Sequence, residues 1–94
     1  MSTSFKEKVL SVVARIPKGS VLTYKQVAEQ AGSPKAYRAV GTVMKQNFNP
    51  AIPCHRVIKS DHSLGEYNRG VENKRKKLRS EGVIIVGNTV QINI

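Results

Sequence analysis

The sequence predicts a mainly α-helical domain that contains a helix-turn-helix and ends in a small β-hairpin. Two segments of helical periodicity each begin at a capping residue, and only a Gly-Ser turn separates them. Short apolar segments on both sides of Gly87-Asn88 predict the hairpin. A length of 94 residues is enough for one modest core, so we expect a single domain over residues 1–94.

The first helix is expected to begin at Ser4. Ser4 and Glu7 have the spacing of a capping box, and the apolar residues that follow recur at near-helical intervals. The helix should run to about Arg15, because Pro17-Lys18-Gly19 ends the pattern. The apolar residues are Phe5, Val9, Leu10, Val13 and Ile16.

A second capping box, Thr23 with Gln26, predicts a short helix that stops at Gly32. Ser33 as N-cap and Pro34 at the first helical position predict a longer helix that reaches about Gln46. Its expected core face consists of Ala36, Ala39, Val40, Val43 and Met44, and its opposite face carries Tyr37, Arg38, Gly41, Thr42 and Lys45. Small residues and cations would let that opposite face approach a nucleic-acid backbone, although an ordinary solvated helix has the same pattern.

The second half of the chain predicts shorter elements. These are a loop from Asn47 to Pro53, a short buried strand from His55 to Ile58, a polar loop from Lys59 to Asn68, a basic helix from Val71 to Ser80, and hairpin strands from Val83 to Val86 and from Thr89 to Ile94.

The charge balance favours a polyanionic partner. Sixteen Lys and Arg against six Asp and Glu give a net charge of +10, which attracts nucleic acid and speeds its encounter. No apolar run approaches the length of a membrane span, and no amphipathic helix with bulky apolar residues suggests a membrane surface. The N-terminal residues have no apolar signal core, so we expect a cytoplasmic protein, or a nuclear one in a eukaryote.

Cys54 is the only cysteine, so the chain cannot form an internal disulfide. It stands beside His55 and Arg56, and cationic neighbours favour the thiolate, which is the nucleophilic form. Most free cysteines are small buried hydrophobes, and these neighbours alone leave that interpretation open. Cys54, His55 and His62 do not match the paired ligand spacing of structural zinc, and we expect neither a metal nor a cofactor.

The segment Ile52-Pro-Cys-His-Arg-Val-Ile58 resembles the active-site motif of the O6-alkylguanine-DNA alkyltransferases, also called methylated-DNA–protein-cysteine methyltransferases. The resemblance extends in order from residue 5 to about residue 83. It includes Ile16-Pro-Lys-Gly19 with Thr23-Tyr24, the segment Gly32-Ser-Pro-Lys-Ala-Tyr-Arg-Ala-Val-Gly41, the loop Ser63-Leu-Gly-Glu-Tyr-Asn68, and Lys74 with Glu81-Gly82.

This resemblance implies a winged-helix-like DNA-binding domain that acts on double-stranded DNA containing O6-alkylguanine, as a monomer. The recognition helix would enter the minor groove and the damaged base would flip out of the duplex. Cys54 would accept the alkyl group irreversibly, in a single turnover.

The resemblance also implies roles for single residues. His55 would activate Cys54 through water, Glu81 would polarise His55, Asn47 would brace the turn, and Tyr24 would protonate the departing base. Arg38 would fill the gap left by the flipped base. Tyr37, Thr42, Lys45, Ala36 and Gly41 would contact DNA, and Met44, Val57, Tyr67 and Asn68 would line the alkylguanine pocket.

The sequence departs from the family in the pocket loop, at His62, Glu66 and Arg69, and in the last helix, at Lys76 and Lys77. The family's common N-terminal domain is absent from these 94 residues. Three other functions are alternatives to alkyl transfer, and each predicts a different feature. An alkyltransferase-like lesion sensor would have another residue in place of Cys54, a winged-helix transcription factor would read a specific operator, and a cysteine hydrolase would need a larger substrate cleft.

Overall fold

Four helices and two small sheets form the fold in the part of the chain that the computed structural model describes, residues 4–47, 49–65, 67 and 69–91. The helices are α1 (Phe5–Ala14), α2 (Tyr24–Gln30), α3 (Tyr37–Gln46) and α4 (Val71–Ser80). Strand β1 (Leu22–Thr23) pairs in parallel with β2 (Val57–Ile58), and β3 (Ile84–Val86) pairs antiparallel with β4 (Thr89–Gln91). The prediction of a mainly helical domain with a helix-turn-helix and a terminal hairpin is confirmed.

Side-chain caps set the starts of the first two helices. The Ser4 hydroxyl accepts the Glu7 amide at 3.2 Å. Thr23 and Gln26 form a complete capping box, with bonds of 3.1 and 2.9 Å. Each bond satisfies an amide that has no partner inside the helix, so the sequence locates both starts correctly.

The start of α3 differs from the prediction. The Ser33 amide donates to the Ala28 carbonyl at 2.9 Å, and Gly32 adopts a φ of +87°. Ser33 therefore belongs to the C-terminal cap of α2 and is not the N-cap of the next helix. A further turn, in which the Ala36 amide donates to the Ser33 carbonyl at 2.9 Å, places Ala36 at the N-cap.

The buried stripe of α3 is narrower than expected. Val40, Val43 and Met44 are buried, but Ala39 is exposed and Ala36 only half-buried. Ala36 is the N-cap and precedes the helix, and Ala39 lies about 100° around the helix axis from the buried Val40, at the edge of the stripe. The small residue at position 39 therefore belongs to the outer face.

The segment around Cys54 also differs from the prediction. Residues Cys54–Arg56 form a 3-10 helix, and only Val57–Ile58 are extended. The Arg56 amide bonds to the Pro53 carbonyl at 2.9 Å, the short-range pattern of such a turn. The strand predicted from His55 to Ile58 is therefore only two residues long, and His55 and Arg56 belong to the helical turn.

Two apolar clusters form the core. The first lies among α1, α2, α3 and β2, and the second lies beneath the hairpin and α4, where it includes Ile58, Leu64 and Leu78. The β1–β2 pair joins the two clusters, because Val57 belongs to the first and Ile58 to the second. This arrangement places the 3-10 helix at the junction.

Some predictions fall outside the described residues. These are the pocket position of Asn68, the departure at Glu66, and the last three residues of the final strand, 92–94. No helix among the described residues is both long and apolar enough to cross a membrane.

Candidate active site

Cys54 lies at a cavity of about 460 Å³ between α3 and the loop that contains Lys59 and Tyr67. This volume is in the range of small-molecule sites. Gly65, at a φ of +71°, permits close packing here, because an added Cβ would lie 3.7 Å from the Tyr24 hydroxyl and 3.2 Å from Lys59. The cavity is lined by Tyr24, Gly41, Met44, Lys45, Cys54, Lys59 and Tyr67.

Asn47 connects the end of α3 to the cysteine. Its amide nitrogen donates to the Cys54 sulfur at 3.8 Å, and its amide oxygen accepts the Asn49 backbone amide at 3.3 Å. The side chain therefore contacts both the sulfur and the turn that precedes it. A donor directed at sulfur stabilises a thiolate more than a neutral thiol.

His55, Glu81 and Arg56 form a largely buried network beside Cys54. The His55 Nε2 atom lies 2.9 Å from Glu81 Oε2, and Arg56 donates to both carboxylate oxygens, at 2.9 and 2.7 Å. The Arg56 bonds are the main reason that the pKa of Glu81 is lowered to about 2, so this carboxylate is ionised at neutral pH. An ionised carboxylate only accepts hydrogen bonds, so Nε2 carries the proton and Nδ1 of the neutral ring is left as the acceptor.

Burial lowers the pKa of His55 below its ordinary value, while Glu81 acts in the opposite direction. The imidazole is therefore neutral near pH 7. A neutral imidazole can accept a proton, which is what a general base must do.

Lys74 is a buried cation that interacts electrostatically with Cys54. Its side chain is fully buried, and its ammonium donates to the Val57 carbonyl at 2.6 Å. Burial lowers the pKa of Lys74 to about 8, and the negative charge of the Cys54 thiolate acts in the opposite direction. At neutral pH the ammonium is mostly charged and favours the thiolate.

The exposed face of α3 continues into the cavity. Tyr37, Arg38 and Thr42 are exposed, and the Thr42 hydroxyl donates to the Arg38 carbonyl at 3.4 Å. Gly41 and Lys45 lie on the same helix and line the cavity directly. A polymer that contacts this face is therefore adjacent to the opening above Cys54.

Two of the departures in sequence have a structural setting. Lys77 lies beside Tyr67, with its ammonium 3.3 Å from the Tyr67 hydroxyl and 5.8 Å from the ring centroid. His62 has a φ of 69°, which is unusual for a residue other than glycine. Lys77 thus contacts a wall of the cavity, whereas Lys76 and Arg69 are exposed.

The structure brings together most of the predicted site residues. Cys54, Tyr24, Met44 and Tyr67 share the cavity. Val57 is not among the described residues that line it, because its side chain is fully buried and its carbonyl accepts a hydrogen bond from Lys74. Sequence reasoning named Arg56 only as a cationic neighbour of Cys54 and Lys74 only within the resemblance, and it gave Lys59 no role in the site. For Lys74 a signal existed, since it lies four residues before the buried Leu78 on one face of α4.

The fold and this site define a class: a helix-turn-helix domain that presents a cysteine, with a histidine–carboxylate pair, at a cavity beside its second helix. Residues 4–83 match the family described as 6-O-methylguanine DNA methyltransferase, DNA binding domain. The chain belongs to this family.

Individual relatives agree with this assignment. The chain is 46% identical over 86 residues to a methylated-DNA–protein-cysteine methyltransferase of Methanothermobacter thermautotrophicus, an alignment that covers 90% of this chain and 48% of that protein. The chain thus spans about half the length of the curated relatives it matches first.

Two solved structures are similar to this chain. One is S. pombe Atl1 in complex with damaged DNA containing O6-carboxymethylguanine, with a TM-score of 0.83, 31% identity, and coverage of 99% of this chain and 93% of that one. The other is Mycobacterium tuberculosis OGT in complex with DNA, with a TM-score of 0.80, 36% identity, and coverage of 86% and 51%.

Proposed function

We propose that this chain repairs DNA by transferring the alkyl group of O6-alkylguanine irreversibly to Cys54. The observation that carries the proposal is the position of Cys54, at a base-sized cavity, between the exposed face of α3 and the His55–Glu81 pair. The names of the relatives support it, as do the DNA complexes of the two similar structures.

The reaction begins with loss of the Cys54 proton, which passes through a bridging water to Nδ1 of His55. Glu81 stabilises the imidazolium that forms, and Asn47 and Lys74 stabilise the thiolate. The sulfur then attacks the alkyl carbon in line with the C–O6 bond. The S–C bond forms as the C–O6 bond breaks, and its electron pair stays on the guanine.

The departing guanine needs a proton. Tyr24 lines the same cavity as Cys54, and its hydroxyl supplies that proton and recovers one from solvent. Met44 and Tyr67 surround the base, and Tyr67 provides an aromatic wall. The base reaches the cavity by flipping out of the duplex, while Arg38 on the exposed face of α3 occupies the vacated stack.

Incubation with an O6-methylguanine duplex, followed by intact mass spectrometry, tests this function. The protein should gain the mass of one CH2 unit, with the adduct on Cys54 after proteolysis. An unchanged mass in the presence of bound lesion DNA would instead favour a lesion sensor. That second candidate is kept because the similarity to Atl1 extends over 93% of that chain.

Replacing Glu81 with glutamine should slow alkylation of Cys54 near neutral pH by roughly a hundred-fold, at the low end of what a positioned base contributes. The amide has no charge to stabilise the His55 imidazolium, so His55 becomes a weaker base. A pH–rate profile with a small alkylating agent measures the effect. Glu72→Gln, at an exposed position on α4, is the matched control. A profile identical to wild type would assign Glu81 only to the end of α4.

Binding to undamaged duplex should be largely independent of sequence and should weaken steeply with salt. Each phosphate neutralised by Lys or Arg contributes about −0.9 to the slope of log K against log salt. The net charge of +10 motivates this expectation. Fluorescence anisotropy over a salt series measures the slope. Tight binding to one undamaged sequence with a shallow slope would favour a transcription factor.

A further inference from the structure

We propose that Arg56 is a positioning residue for His55, the general base for Cys54. The Arg56 guanidinium holds the Glu81 carboxylate in place and shares its negative charge with His55, so that the His55 ring is less strongly drawn to a proton and stays ready to accept one from Cys54. This inference rests on the proposed function, because it concerns how the thiolate is formed.

Each of the three nitrogens of the Arg56 guanidinium donates a hydrogen bond. Nε donates to Glu81 Oε1 at 2.9 Å, Nη2 donates to Glu81 Oε2 at 2.7 Å, and Nη1 donates to the Ile16 carbonyl at 2.8 Å. The side chains of Arg56 and Glu81 are only 15% and 9% exposed, respectively. A planar fork at these distances fixes both the place and the rotation of the carboxylate, which a lysine ammonium cannot do.

One carboxylate oxygen is shared. Oε2 of Glu81 accepts from Arg56 Nη2 and also lies 2.9 Å from His55 Nε2. The negative charge on Oε2 therefore interacts with both the Arg56 guanidinium, which is always charged, and the His55 ring, which titrates. Division of this charge reduces the pull of Glu81 on a proton at His55.

The backbone of Glu81 is also confined, by the turn that follows α1. Gly19 has a φ of +89°, and a Cβ at this position would lie 3.1 Å from the Glu81 carbonyl oxygen. Ile16, which accepts the third bond of Arg56, begins the same turn. The turn therefore contacts Glu81 directly and, through Arg56, also orients its carboxylate.

His55 has other charged neighbours. Lys77 of α4 acts on it in the same direction as Arg56, and Lys74 of α4 faces Cys54. A second cavity, of about 180 Å³, is lined by His55 and Arg56 together with Cys54, Tyr67, Arg69 and Lys77. Arg56 bonds to the same carboxylate as His55.

The test is the titration of His55, followed by NMR of the imidazole resonances in wild type and Arg56→Lys. Lysine keeps a positive charge but cannot form the fork. The freed carboxylate then interacts more strongly with His55, so its titration midpoint should move upward. His62, the only other histidine, is the internal reference and should not move. Arg56→Gln should shift the His55 midpoint in the same direction and provides a second variant should Arg56→Lys fold poorly.

Two controls separate positioning from general stabilisation. Arg79→Lys makes the same change at an arginine that donates to the Ile85 carbonyl at 3.4 Å, and it should leave His55 unchanged. In a Glu81→Gln background, Arg56→Lys should produce no further shift. Alkylation of Cys54 by iodoacetamide should match wild type in Arg79→Lys, which shows that this control leaves the cavity intact.

An unmoved or lowered His55 midpoint in folded Arg56→Lys would overturn the positioning role and leave Arg56 as a structural residue. A full shift in the Glu81→Gln background would show that Arg56 does not act through Glu81. Neither result depends on DNA repair. Failure of the proposed function would instead appear as absence of transfer from O6-methylguanine DNA.

Discussion

Cys54→Ser should bind lesion-containing duplex about as tightly as wild type and transfer no alkyl group. The exposed face of α3 does not depend on the thiol, since Arg38 and Thr42 lie on the helix surface and Cys54 lies inside the cavity. A serine hydroxyl is far less acidic than a thiol, so the His55–Glu81 pair cannot generate a comparable nucleophile. The loss of transfer should be complete within detection.

The same experiment on wild type should show one turnover per protein. The product is a thioether, and His55 can accept the thiol proton but has no means of breaking the new S–C bond. Intact mass against time, at a tenfold excess of O6-methylguanine duplex, should reach one adduct per chain and stop. Continued release of repaired DNA beyond one equivalent would contradict the proposed mechanism, as would transfer by Cys54→Ser.

Arg38→Ala should slow repair of duplex substrate on the order of a hundredfold and leave the reaction with free O6-benzylguanine nearly unchanged. A plug is needed only when a base must leave a stack, and this step costs a few kcal/mol, where about 1.4 kcal/mol is tenfold in rate. Arg38 is exposed near the start of α3, away from Cys54 and the cavity lining.

Single-turnover rates on the two substrates measure this difference. Arg15→Ala is the matched control, because it removes one exposed arginine at the end of α1, outside the helix-turn-helix. Equal slowing on duplex and on the free base would assign Arg38 to the cavity and not to base flipping. Equal slowing by Arg15→Ala would indicate a general effect of charge.

The sequence was informative wherever local chemistry determines structure. The capping box at Thr23 and Gln26, the basic helix Val71–Ser80 and the hairpin turn at Gly87-Asn88 depend on residues that are close in the chain, so each could be located. The predicted start of α3 at Ser33 is wrong because a serine between two helices can lie at the end of the first helix or at the start of the second. Whether its amide belongs to α2 depends on the left-handed φ of Gly32.

Features that join distant segments could not be predicted in this way. The β1–β2 pair consists of two residues on each side, too short for any alternation to appear. Arg56 bonds to Ile16 and Glu81, which lie 40 and 25 residues away. The sequence contains five other arginines, and no local pattern marks Arg56 as the one that makes these contacts. The roles predicted for Glu81 and Asn47 came from the resemblance to a family. Residue chemistry alone indicates only a helix end at Glu81 and a turn at Asn47.

The 3-10 helix at Cys54–Arg56 also bears on how this gene can change. With three residues per turn, its consecutive side chains diverge by about 120°. Cys54 lines the cavity, His55 is placed as its general base, and Arg56 bonds to the Glu81 carboxylate. Insertion or deletion of a single codon inside this segment would rotate all three assignments together. We therefore expect related sequences to vary in length in other parts of the chain and to vary in this segment only by substitution.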